Sequence, residues 1–147
     1  MQFRAPLAAA AASSLLALAD ARIIGIAAPQ TVRAGDQVTA IIETEGYIQS
    51  VLDVAIAFGM APEAAAYPGT LGQNVLGSFY LGPEKSNSDV NLTQALTIPP
   101  GLVAGEYVLA AGLYSLYGAS SSATLSNYNV TIFVGNTTSA SYVSSQQ

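Results

Sequence analysis

Apolar and polar residues alternate along most of this chain, and the alternation breaks every ten to fifteen residues at clusters of Gly, Pro, Asn and Ser. Period-two alternation places successive side chains on opposite faces of a strand, so the pattern predicts short strands joined by turns. Residues 22–28 read as a first strand stopped by Pro29. After a turn at 33–36, residues 36–43 alternate with Val38, Ala40 and Ile42 on one face. Residues 51–58 place Leu52, Val54, Ile56 and Phe58 together, against Asp53, Ala55 and Ala57. Residues 59–72 form a loop with Pro62, Pro68 and Gly69, and its Pro-Glu-Ala-Ala-Ala core suits one helical turn. A strand at 75–81 closes at Gly82-Pro83. Residues 90–98 turn Val90, Leu92, Leu96 and Ile98 inward and end at Pro99-Pro100-Gly101. Residues 105–116 are apolar on both faces, as a central strand is, and residues 128–134 alternate again.

About seven strands with no convincing helix predict an all-β domain, an immunoglobulin- or fibronectin-like sandwich, with a small β-barrel as the alternative. A Gly-x-Tyr-x-Leu-x-Ala run (Gly105, Tyr107, Leu109, Ala111) opens the penultimate strand, where such folds place a tyrosine whose hydroxyl bonds back to the chain upstream. The Cys pair and buried Trp of antibody domains are missing. The match is therefore to architecture, and architecture does not fix function.

The first residues follow a different pattern. Arg4 is followed by an uncharged run from Pro6 to Leu18, and Ala19-Asp20-Ala21 supplies small residues on either side of one other. That order predicts a secretory signal over residues 1–21, cut between Ala21 and Arg22. The apolar run is shorter than the roughly 20 residues a membrane span needs. No later segment reaches that length without Gly, Pro or charge, so membrane insertion is not expected. The remaining 126 residues suit one domain over 22–135 and a flexible, Ser/Thr-rich tail over 136–147.

Composition narrows the chemistry. The exported part carries three basic residues (Arg22, Arg33, Lys85) against eight acidic ones, a net charge of −5 that makes nucleic acid a poor partner. With no Cys, neither a disulfide framework nor thiol catalysis is available, and the domain relies on its 51% hydrophobic content. With no His, the commonest general base and metal ligand is absent. Lys85 sits in a turn-like Gly-Pro-Glu-Lys-Ser-Asn stretch. Glu43 and Glu45 form a spaced carboxylate pair that reads best as solvated charges at a sheet edge. The other acids are scattered without calcium-loop spacing. No catalysis, cofactor or metal is expected, and a monomer is.

Three Asn-x-Thr sequons, at Asn91, Asn129 and Asn136, lie downstream of the export signal and are candidate glycosylation sites. Tyr side chains near loops and strand ends are candidate contacts, because they add interface area at small entropic cost. The candidate interaction surface is Glu45, Tyr47, Gln49, Tyr114 and Tyr117, centred on segment 45–49.

Particular strings carry a resemblance. Residues 21–26, 44–51 and 53–59, with 76–82, 105–109 and 128–135, are similar to the necrosis-inducing secreted (Nis1-type) effector family of plant-associated fungi. The likeness spans almost the whole exported chain. It implies an effector that provokes host plant cell death and suppresses pattern-triggered immunity by engaging immune receptor-associated kinases. The resemblance leaves open whether the protein acts outside the host cell or enters it. The alternative class is a structural or carbohydrate-associated wall module, which retention on chitin, glucan or cellulose would reveal.

Overall fold

The computed structural model describes residues 20–146. The alternating segments become β1 (Asp20–Pro29), β2 (Thr31–Arg33), β3 (Gln37–Tyr47), β4 (Val51–Pro62), β5 (Asn74–Tyr80), β6 (Leu92–Thr97), β7 (Gly105–Tyr117), β8 (Ser122–Gly135) and β9 (Tyr142–Ser144). They form two separately hydrogen-bonded sheets, one ordered β6-β3-β1-β9 and one β2-β8-β7-β4-β5. This is the expected all-β sandwich. The seven longer strands correspond to the seven expected, and the three-residue β2 and β9 are additions. The helical turn expected after Pro62 is a single 3-10 turn at Glu63–Ala65.

Apolar alternation closes the space between the sheets. Ile26 and Ile42 from the first sheet meet Ile56, Phe58, Leu109 and Ile132 from the second, all essentially inaccessible to solvent. Phe79 from β5 packs its ring against Phe58 at 6.3 Å. Burying each such side chain contributes about 1.5–3 kcal/mol, so without disulfides this interior carries the fold. At the start of β7 the Tyr107 hydroxyl donates to the Val103 carbonyl at 2.9 Å, as the Gly-x-Tyr motif suggests.

The chain changes sheets at Pro29. β1 pairs antiparallel with β3, whereas β2, two residues further on, pairs parallel with β8. The Gln30 carbonyl accepts the Phe133 N–H and the Gln30 N–H donates to the Ser141 carbonyl, each at 2.9 Å, so the crossing leaves no orphaned backbone group at Gln30.

Three expectations are corrected. In β4 the register shifts between Asp53 and Ala55. The extra residue of this bulge reverses which face points inward, so Val51 and Asp53 are buried with Ile56 and Phe58 while Leu52 is exposed. Val90, expected inward, is exposed: β6 starts two residues later, and Ser88 holds the Val90 N–H in a local turn. The segment after Gly135, expected to be flexible, is tied down. β9 pairs with β1, the Ser145 N–H donates to the Ile26 carbonyl, and the Tyr142 hydroxyl donates to the Thr39 carbonyl. Its hydroxyls serve backbone groups of β1 and β2 rather than solvent alone: the Ile26 N–H donates to Ser145 Oγ and the Thr31 N–H to Ser139 Oγ.

The expected export signal lies outside the described residues except for Asp20 and Ala21. These two belong to β1, opposite Tyr47 and Gly46, with Ala21 fully buried.

Two measurements check these assignments. Tyr107→Phe keeps the ring and removes the hydroxyl, and chemical denaturation should show a loss of about 1 kcal/mol. A chain ending at Gly135 should lose amide-exchange protection along residues 25–31 and about 1–3 kcal/mol of stability.

Candidate functional site

The turn joining β3 to β4 lies at one end of the sandwich and collects most of the candidate contact residues. Tyr47, at the end of β3 in the first sheet, meets Tyr117, at the end of β7 in the second. Their rings are edge to face, with centroids 5.7 Å apart. Register explains the meeting, because Val51 follows the turn and pairs with Tyr117. The Ser50 carbonyl accepts the Gly118 N–H at 2.8 Å, and Gln49 lies against Gly118.

A cation completes the group. Arg22 on β1 pairs in register with Glu45 on β3, and its Nε and Nη2 both donate to Glu45 Oε2, at 3.1 and 2.9 Å. Its guanidinium carbon lies 4.5 Å from the Tyr47 ring centroid, a cation–π arrangement. Both partners are well exposed, so the ion pair contributes little to stability and serves to hold Arg22 over the ring. The hydrogen bond to Glu45 raises the Arg22 pKa further, which keeps the group charged. Between this cluster and β8 runs a polar cleft of about 330 Å³, floored by Ser126 and Tyr128. Burial pushes the Tyr117 and Tyr128 hydroxyls up, so both stay neutral. Tyr128 uses its hydroxyl on the Ile23 carbonyl, at 3.1 Å.

The structure thus gathers Glu45, Tyr47, Gln49 and Tyr117. Tyr114 lies apart, on the outer face of the second sheet between Ala55 and Leu125. Arg22 and Ile48 join the cluster without having been singled out. Ile48, 92% exposed at the tip of the turn, sat inside the favoured segment, but Arg22 needed the β1–β3 register to be placed. The sequon residues Asn91, Asn129 and Asn136 are all exposed. Among the described residues no group of three or more acidic, His or Cys side chains could hold a metal ion. No helix of the described residues is long and apolar enough to cross a membrane.

Comparison with known proteins identifies the lineage. The Nis1 family model matches residues 19–133. The chain belongs to the Nis1 family. It is 68% identical, over the full length of both chains, to Necrosis-inducing secreted protein 1 of Colletotrichum higginsianum. It is also 68% identical to the protein of that name from Colletotrichum orbiculare, over 99% of this chain and 88% of that one. These relatives are named as secreted proteins, and this Nis1-family chain is extracellular. Solved structures are similar only distantly. A CARDB domain from Pyrococcus furiosus gives a TM-score of 0.43 at 15% identity, covering 80% of this chain and 90% of that one. A chitin-binding domain from Burkholderia pseudomallei gives 0.42 at 12%, covering 74% and 56%.

Behind the cluster lies a buried carboxyl. Asp53, turned inward by the β4 bulge, is 1% exposed and accepts the Ser115 hydroxyl at 2.6 Å. Burial raises its pKa, outweighing the Ser115 hydrogen bond that lowers it. The folded protein therefore holds this proton more tightly than the unfolded chain does. The stabilisation is full below the unfolded aspartate value of about 3.9 and is lost as pH rises through the higher folded value. Asp53→Asn removes this titration. Its melting temperature should gain on that of the unsubstituted protein as pH rises from about 4 towards neutrality. Parallel melting curves across that range would show that Asp53 titrates as it does in the unfolded chain.

Proposed function

We propose that this protein is a secreted effector that acts by binding host proteins rather than by catalysis. In this reading it provokes plant cell death, and it suppresses pattern-triggered immunity by engaging immune receptor-associated kinases. The relatives named for necrosis induction match this chain end to end, which supports the first part. The kinase partners follow from the family resemblance.

One observation in the geometry carries the binding surface: Ile48 is exposed in the β3–β4 turn directly after Tyr47, whose ring meets both Tyr117 and Arg22. An exposed apolar side chain is easily desolvated by a partner. Tyr and Arg dominate interface hot spots because they combine apolar area with hydrogen-bonding ends. Glu45 holds Arg22 in place before any partner arrives, which lowers the ordering cost of association.

Infiltration of the purified protein into leaves, scored for lesions, tests the first part. Co-purification with the kinase domains of immune receptors and their associated kinases tests the second. Ile48→Asp and Tyr47→Ala should each weaken kinase binding by about 2 kcal/mol, roughly thirtyfold, with little change in melting temperature. Undiminished binding by both variants would move the interface elsewhere. Lesions without any captured kinase would exclude the kinase partners while leaving cell-death induction standing.

A further inference from the structure

The outer face of the second sheet is built differently from the β3–β4 end. Register sets Tyr80, Ala55, Tyr114 and Leu125 side by side across β5, β4, β7 and β8. Tyr80 and Leu125 are strongly exposed and Tyr114 partly so. The next row, Ser78, Ala57, Gly112 and Asn127, has small side chains at its centre, so the face is hollowed there. Loop 66–72 forms one bank. A Cβ at Gly59 would collide with the Leu71 backbone, so glycine is what lets this loop lie against the sheet. Two hollows of about 150 and 370 Å³ share Gly69, Leu71 and Asn127 and so form one groove. No residue lining it carries a charge, in a chain whose net charge is −5.

Asn129 lines the smaller hollow. It begins the sequon Asn129-Val130-Thr131, and both Asn129 and Thr131 are exposed while Val130 points into the core. We propose that Asn129 carries an N-linked glycan and that the groove seats its first sugars, from Asn129 past loop 66–72 towards Tyr114. Sugar rings present apolar C–H faces and polar edges. The groove offers aromatic rings at Tyr67 and Tyr114, with amide and hydroxyl groups at Asn127, Thr70 and Ser78. Such a glycan also covers apolar surface that would otherwise promote association in a secreted protein. Attachment uses a lipid-diphosphate-linked oligosaccharide of the secretory route. The bond from Asn129 Nδ2 to sugar C1 forms, the C1–O bond to the diphosphate breaks, and one amide proton is lost. The proposal rests on the extracellular location. The other sequons lack this setting: Asn91 accepts the Thr44 N–H through its side-chain oxygen, and Asn136 lies beyond β8, away from the groove.

The test uses full-length protein secreted by a yeast, before and after treatment with peptide-N-glycosidase in ¹⁸O water. Conversion of Asn129 to labelled aspartate, read by peptide mass spectrometry, reports occupancy. Hydrogen exchange should then run several-fold faster in residues 67–72 and 112–114 once the glycan is gone. Asn129→Gln and Thr131→Ala, made separately, should show the same fast exchange without enzyme treatment. An unlabelled Asn129 overturns the proposal outright. A labelled Asn129 with unchanged exchange in the loop overturns the seating and leaves a glycan that projects into solvent.

Discussion

The structure depends on satisfying both edges of one strand. β1 starts the first sheet, hydrogen-bonds to β3 on one side and β9 on the other, and then hands the chain to the second sheet at Pro29. Because β2 follows it after one residue and pairs with β8, the chain joins the two sheets covalently at Gln30. Packing between the sheets supplies most of the stabilising energy, but the position of β1 decides which faces meet. Ala21, Ile23 and Ile26 then point inward and Arg22 points out at the β3–β4 end. The contact cluster is thus a by-product of the strand that closes the sandwich.

Much of this architecture was legible because period two is a robust signal. β3 and β8 alternate cleanly, β7 showed itself as a run apolar on both faces, and the Gly-x-Tyr motif marked its start. What stayed hidden depends on pairing. The β4 bulge inserts one residue, and no propensity at Asp53 or Val54 announces it, so the inward face was misassigned. The Ser/Thr-rich C-terminal segment has the composition of a solvated tail. Its hydroxyls are used instead on backbone groups of β1 and β2, over a hundred residues away in sequence. The site was half legible for the same reason. Tyr47 and Tyr117 flank turns and could be guessed as neighbours of an exposed end. Tyr114 was grouped with them as a tyrosine near a strand end, but three residues along a strand reverse the face, and Tyr114 points away from Tyr117.

Two surfaces with different chemistry emerge. The end of the sandwich offers an aromatic pair, a held cation and an exposed aliphatic side chain, which is the composition of a protein-contact surface. The broad face of the second sheet offers a charge-free groove with small side chains on its floor. Membership of the Nis1 family ties the chain to secretion, and the two surfaces differ in what each exposes to the surroundings of an exported protein. The buried Asp53 lies behind the first of these, where burial holds its proton against loss.

The pairing of β9 with β1 also sets a timetable. β1 cannot complete its sheet until residues 142–145 are available, more than a hundred residues further along the chain. Until then the far edge of β1 is left without its final partner. A contact of such sequence separation closes a very long loop, so this edge forms late in folding and the first sheet stays open until it does.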